Sequence, residues 1–195
     1  MPSNAPNDLY TAYRAFEFDE VNTLYSQLLK SVSEGAQLNS EEIINECEDF
    51  LIAMYLSGLL STEQMSGKTV KRPSQDELMN TVYEKIDGET FADRIIKSCG
   101  MEFPNSAEWL ERIFVTDGHR CFVNGQIYGA RQTGGIKVWD ATMDNKTRPT
   151  HADLHNTALK LDEYFETPNG KALAPAMFGV AEEDVNCRCI LKIIV

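Results

Sequence analysis

Over much of the first 130 residues, apolar side chains return every three or four positions, the period of an amphipathic helix. From Val21, the positions Val21, Leu24, Tyr25, Leu28, Leu29 and Val32 share one face, and Gly35 can end that helix. A second run, Ile43, Cys47, Phe50, Leu51, Met54, Tyr55 and Gly58, follows Asn39 and Glu42, which have the spacing of a capping box. Ser66–Ser74 (SGKTVKRPS) reads as a polar, turn-forming linker. The cap spacing returns at Ser74 with Glu77 and at Asn105 with Glu108, and between them Phe91, Ile95 and Cys99 face one side of a short helix. Asn105 to about Gln132 can be one long helix. Its Gly118, Gly125 and Gly129 each cost about 1 kcal/mol, yet they let another helix come close.

Beyond Gly134–Gly135 the pattern changes. Ile136–Met143 alternates like a half-buried strand. RPTHADLH starts a short helix with Pro149 at its first position. LDEYFETPNGKALAP (Leu161–Pro175) reads as loop with a turn at PNG, and Cys187–Val195 has strand character. The expectation is an α+β fold, mainly helical in its N-terminal two-thirds with a small α+β C-terminal tail domain. The boundary is drawn between a helical region, 1–88, and a second unit, 89–195, of long helix plus compact tail.

Composition narrows the function classes. The net charge is -12, and residues 1–135 hold 11 Lys/Arg against 21 Asp/Glu. An acidic chain without a basic stripe repels phosphate backbones, so direct nucleic-acid binding is not expected. The longest apolar stretch, Phe50–Leu60, is too short to span a bilayer. The N-terminus lacks the basic-then-apolar pattern of a secretory signal. Five irregularly spaced cysteines argue for a reducing compartment and against a disulfide framework.

The chemistry-bearing residues gather late in the chain. Zinc takes four N, S or O donors, often from two segments. His151 and His155, four apart, would share one face of a helix, and Cys187 and Cys189 would point to one side of an extended segment. Together they supply a tetrahedral donor set, which makes zinc the cofactor this pattern can hold. C-x-C is a rarer zinc pattern than C-x-x-C, and the alternative is a hydrogen-bonded His151 beside two thiols that pack the tail. A Cys/His nucleophile and base, oriented by Asp144, is a further reading. No GxSxG, HExxH or glycine-rich phosphate loop accompanies it. Asp144 and Thr147 can cap backbone N–H groups where a turn meets a helix. Arg148 can fork onto a carboxylate and lock that turn against the tail, and Trp139 reads as a core anchor.

Three ordered blocks, KVWDATMDNKTRPTHADLH, LDEYF and NCRC, resemble the tail of the phage Mu F-like minor head proteins. The family pattern runs W-x-A-T-x-D-x-x-T-R-x-x-H-x-x-L-x-G, then LDExF, then N-C-R-C. Trp139, Ala141, Thr142, Asp144, Thr147, Arg148, His151 and Leu154 fall on the first block. Leu161, Asp162, Glu163 and Phe165 fall on the second, and Asn186, Cys187, Arg188 and Cys189 on the third. The resemblance covers about residues 130–195 and extends back toward Thr90. Asn156 stands where the family usually has Gly, and Arg120–Gly135 replaces its usual R-T-E stretch. Some relatives carry C-x-x-C where this chain has Arg148-x-x-His151, so a fourth ligand here would come from His155, Asp144 or water.

The resemblance implies a non-enzymatic virion protein, made in the bacterial host cytoplasm and present in few copies inside the head near the portal. It implies work in head assembly and DNA packaging or delivery, with the portal protein or major capsid protein as partner. The glycine-bearing helix and the amphipathic N-terminal helices are then the candidate docking surfaces. Some relatives are fused to toxin domains, for which this sequence is expected to have no spare segment. Two other readings remain: an enzyme or toxin-like effector using His151 and Cys187/Cys189, and a domesticated prophage protein.

Overall fold

A computed structural model describes residues 40–86, 88–99 and 105–195. The helix expected from Val21 and the cap expected at Asn39 lie outside the described residues. The helical part comprises α1 (Ser40–Ser66), α2 (Gln75–Val82), α3 (Phe91–Cys99) and α4 (Asn105–Thr133). The α+β tail comprises β1 (Ile136–Asp140), α5 (Pro149–Leu154), β2 (Ala158–Lys160), β3 (Phe165–Thr167), β4 (Gly170–Ala172), α6 (Ala181–Asp184) and β5 (Ile190–Ile194). The expected α+β architecture is present, and one continuous hydrophobic core runs from Cys47 on α1 to Ile193 on β5. Among the described residues, no helix is long and apolar enough to cross a membrane.

Local sequence accounts for the shorter helices. At the start of α2 the Ser74 hydroxyl accepts from the Glu77 N–H, and the Glu77 carboxylate accepts from the Ser74 N–H at 2.8 Å. Thr90 and Asp93 repeat this arrangement before α3, with Asp in place of Glu. The Ser66–Ser74 linker is irregular as expected, but it is pinned. Glu63 accepts from the Val70 N–H at 2.8 Å, and Lys68 Nζ donates to the Thr133 carbonyl at 2.8 Å, closing the C-terminus of α4.

The long helices meet backbone to backbone. A Cβ at Gly58 would lie 1.8 Å from the Phe122 carbonyl oxygen, and one at Gly125 would lie 1.9 Å from that of Tyr55. Gly129 is looser, its nearest neighbour being Thr62 Cβ at 2.9 Å. Gly125 and Gly129 therefore face α1, and this stretch of α4 is an internal seam rather than an open docking surface. Next to the seam Phe50, Phe91 and Phe114 form an aromatic cluster with centroids 5.0–5.8 Å apart. Arg94 on α3 reaches the buried Asp117 on α4 at 2.6 Å. Burial pushes the Asp117 carboxyl above its usual range, and the hydrogen bond and charge of Arg94 oppose this.

α4 ends at Gly134 and Gly135, both at positive φ (77° and 101°), and the chain turns into the sheet. The sheet has order β2-β1-β5 and is antiparallel throughout, with Trp139 opposite Leu191. Two strand expectations need correction. β1 does not alternate: Lys137 to Asp140 are all buried, because the strand is central and covered on both faces. The segment read as loop contains the β3–β4 hairpin, pairing Phe165 with Ala172, and the PNG turn is its tip. Lys137 is buried without a carboxylate partner. Its ammonium donates instead to the carbonyls of Leu161, Glu163 and Leu173 at 3.0, 2.6 and 2.8 Å. Burial lowers its pKa to about 8.

Gly125→Ala tests the helix seam. A methyl group usually stabilises an exposed helix by about 1 kcal/mol. Here it must force two backbones apart, and we expect a loss of about 1–3 kcal/mol or more, with a smaller effect for Gly129→Ala. Urea unfolding reads both, and an unchanged or raised Gly125→Ala midpoint would contradict the close crossing.

Candidate functional site

The residues singled out around the TRPTH stretch and the NCRC motif converge between α5 and the segment leading into β5. Asp144 and Thr147 organise the turn before α5. The Asp144 carboxylate accepts from the Lys146 N–H at 2.9 Å, Thr147 Oγ1 accepts from the Asp144 N–H at 3.2 Å, and the same hydroxyl donates to the Thr142 carbonyl. They cap this turn and not the helix, whose N-cap is Arg148 with Pro149 following. The expected fork onto a carboxylate exists but belongs to Arg188. Its two terminal nitrogens reach the Asp144 oxygens at 2.7 and 2.6 Å. Arg148 does reach the tail, donating to the Val185 carbonyl.

α5 carries His151 inward to a buried position. His151 Nδ1 lies 3.6 Å from Cys187 Sγ and 3.4 Å from Cys189 Sγ. On its other side, Nε2 comes within 2.8 Å of the buried Glu183 Oε2, off the straight line of a hydrogen bond. Glu183 is fixed by Thr150 at 3.0 Å and Asn169 at 2.9 Å. Burial favours its neutral form, but hydrogen bonds from Asn169, Thr167 and Thr150 outweigh this and hold its pKa below the usual range. A carboxylate facing Nε2 places the proton of a neutral His151 on that nitrogen, leaving the Nδ1 lone pair toward the two sulfurs. The Trp139 ring closes the cluster edge-on, 5.3 Å from His151, and Phe178 stacks on His151 at 6.0 Å while also touching Trp139.

The thiols are inequivalent. Burial, then the contact with Cys189, raises the Cys187 pKa. The hydrogen bond from Cys187 lowers that of Cys189, with smaller help from Trp139, the Thr142 backbone and Arg148. The two thiols are thus pushed in opposite directions, Cys187 up and Cys189 down. Arg148, Arg188 and Thr142 border a cavity of about 10 Å³ beside His151 and Cys189, room for about one water.

Of the four residues read as zinc ligands, His151, Cys187 and Cys189 come together with all donor atoms within 4.8 Å of one another. His155 does not join them. α5 ends at Leu154, and His155 has left helical geometry (ψ 129°), so the four-residue spacing no longer sets a common face. Its Nδ1 accepts from the Ala141 N–H at 3.1 Å and lies 3.6 Å from Asp140. Asp144 is taken by Arg188. Asn156 adopts φ 64° and Asn186 φ 56°, the left-handed region in which Asn substitutes best for Gly. This accounts for Asn where the family usually has Gly.

Two residues of the site were not read from sequence. Glu183 sits in a run of three acids that carries no spacing signal. His119 is a lone histidine on α4, fully buried and neutral, its pKa lowered to about 4 by burial. The Cys187 and Cys189 carbonyls oppose that shift, although neither forms a well-aligned hydrogen bond with the ring. Seven residues on, Gln126 donates to the Leu191 carbonyl at 3.2 Å. The heptad spacing of these two polar side chains was the available signal.

Two variants test this account. Arg148→Ala leaves the Val185 carbonyl without its charged donor, and we expect a loss of about 1–3 kcal/mol in urea unfolding, whereas an unchanged midpoint would refute the contact. Asp144 is held well below the usual carboxylate range, first by Arg188. Its contribution is therefore present above about pH 4 and lost as pH falls further. Asp144→Asn should be less stable than the native chain at pH 7 and should lose less stability between pH 5 and 3. Parallel acid limbs would argue against the pairing.

Residues 74–192 match the family model described as Phage Mu protein F like protein. A relative from Enterococcus faecalis, named NAD(+)--arginine ADP-ribosyltransferase EFV, is 51% identical over 147 residues, covering 69% of this chain and 30% of its own length. Minor head protein GP7 of Bacillus phage SPP1 is 36% identical over 81 residues, covering 39% of this chain and 26% of its own length. The chain thus spans about a third or less of these relatives. No solved structure matches it significantly. With more than half of its length matched by the family model, the chain belongs to the phage Mu F-like protein family.

Proposed function

We propose that this chain is a phage minor head protein that acts in head morphogenesis and in DNA packaging or delivery by docking on the portal or inner capsid. The observation that carries the reading is the family match over residues 74–192, joined by the likeness to a named minor head protein. Charge supports a protein partner: with a net charge of -12, packaged DNA repels the chain and cannot hold it in the head. In this reading the protein resides in the virion in few copies. α1 and α4 occupy each other's close faces, so docking falls to other surfaces.

A second reading, an effector enzyme using His151 and Cys187/Cys189, draws support from the name of the Enterococcus relative. Against it, the space beside this cluster is about 10 Å³, whereas small-molecule sites typically enclose about 300 Å³ or more.

Co-expression with the portal and major capsid proteins of the phage or prophage that encodes the chain separates the two. The head-protein reading expects co-purification with one of them and no transfer of ADP-ribose from NAD to arginine substrates. A chain that binds neither component, or that transfers ADP-ribose, would overturn it.

A further inference from the structure

We propose that His151, Cys187 and Cys189 hold one thiophilic divalent cation, zinc, with a water molecule as fourth ligand. A tetrahedral zinc with Zn–S near 2.3 Å and Zn–N near 2.0–2.1 Å has N···S edges of about 3.6 Å. The two edges here measure 3.6 and 3.4 Å, and both run to the same nitrogen, Nδ1. One lone pair cannot accept a straight hydrogen bond from two thiols at once, but it can share a metal with both.

The surroundings are those of a metal centre. A histidine ligand usually gives its second nitrogen to a carboxylate, and Glu183 stands 2.8 Å from Nε2 with Thr150 and Asn169 fixing its oxygens. The cavity of about 10 Å³ opens beside His151 and Cys189, where a fourth ligand is needed, and is the size of one water. Arg148 and Arg188 border it, so a hydroxide or other small anion is favoured there. Binding releases the thiol protons: two thiolates and zinc leave a neutral core, which suits a buried site better than free thiolates. This assignment is independent of the docking partner.

The test uses tag-free full-length protein purified without chelator. Elemental analysis should find close to one zinc per chain. Cobalt(II) in its place should give thiolate-to-cobalt charge transfer in the ultraviolet and the intense visible bands of a four-coordinate ion. Cys189→Ser should weaken those ultraviolet bands and its combination with Cys187→Ser should abolish them, and Glu183→Gln, which keeps every ligand, should weaken zinc binding about 10- to 100-fold. His155→Ala should retain the full complement of metal. Native protein that is folded by circular dichroism yet takes up less than about 0.2 equivalent of zinc even when zinc is supplied, and shows no cobalt–thiolate band, would overturn the proposal. Loss of metal in His155→Ala would overturn the assignment of water as fourth ligand.

Discussion

Contact between the α1 and α4 backbones at Gly58 and Gly125 sets the geometry of everything that follows. Helices separated by ordinary side chains lie 8–10 Å apart. Removing both Cβ atoms lets the carbonyl of one helix sit against the Cα of the other, so the seam tolerates little sliding. α4 is thereby fixed as the central rod of the molecule, buried on nearly every side from Asp117 to Ala130. On a flank of α4 beside α1, Gln126 donates to the Leu191 carbonyl at 3.2 Å and to Ser61 on α1 at 3.4 Å, and His119 lies against the Cys187 and Cys189 backbone. The seam and the thiol cluster are thus two ends of one mechanical connection.

Within the tail, two kinds of interaction have separate roles. Polar pins, Arg188 on Asp144 and Arg148 on Val185, hold the TRP turn to the NCRC segment at the surface. Beneath them Trp139 and Phe178 pack against His151, and Phe165 packs against Trp139. A histidine so enclosed has few partners available, which gives the two sulfurs and Glu183 their weight.

Much of this was legible in sequence because the signals were local. The 3.6-residue period located α1, the cap spacings located the starts of α2 and α4, and Pro149 marked the first turn of α5. The three-block order located the site, since its residues act on one another across the tail. What escaped depends on contacts remote in sequence. Nothing near Lys137 in sequence announces the three carbonyls that accept from its ammonium. His155 looked equivalent to His151 because a helix one residue longer would have made it so. Glu183 was hidden within a run of three acids, and His119 was a lone histidine on its helix. Arg188 was seen as part of a motif, but its partner Asp144 lies 44 residues away, and side-chain type alone could not choose between it and Arg148.

Lys137 has a consequence for how the tail assembles. Its three acceptors sit in the segment after β2, at the entrance to β3, and just beyond β4. None of these can desolvate the ammonium alone, and a buried charge with only some of its partners is strongly disfavoured. The strand therefore enters the sheet with its charge satisfied only when all three pieces arrive together. This makes closure of the tail all-or-none, and disfavours a half-formed sheet whose exposed edges could pair with another chain.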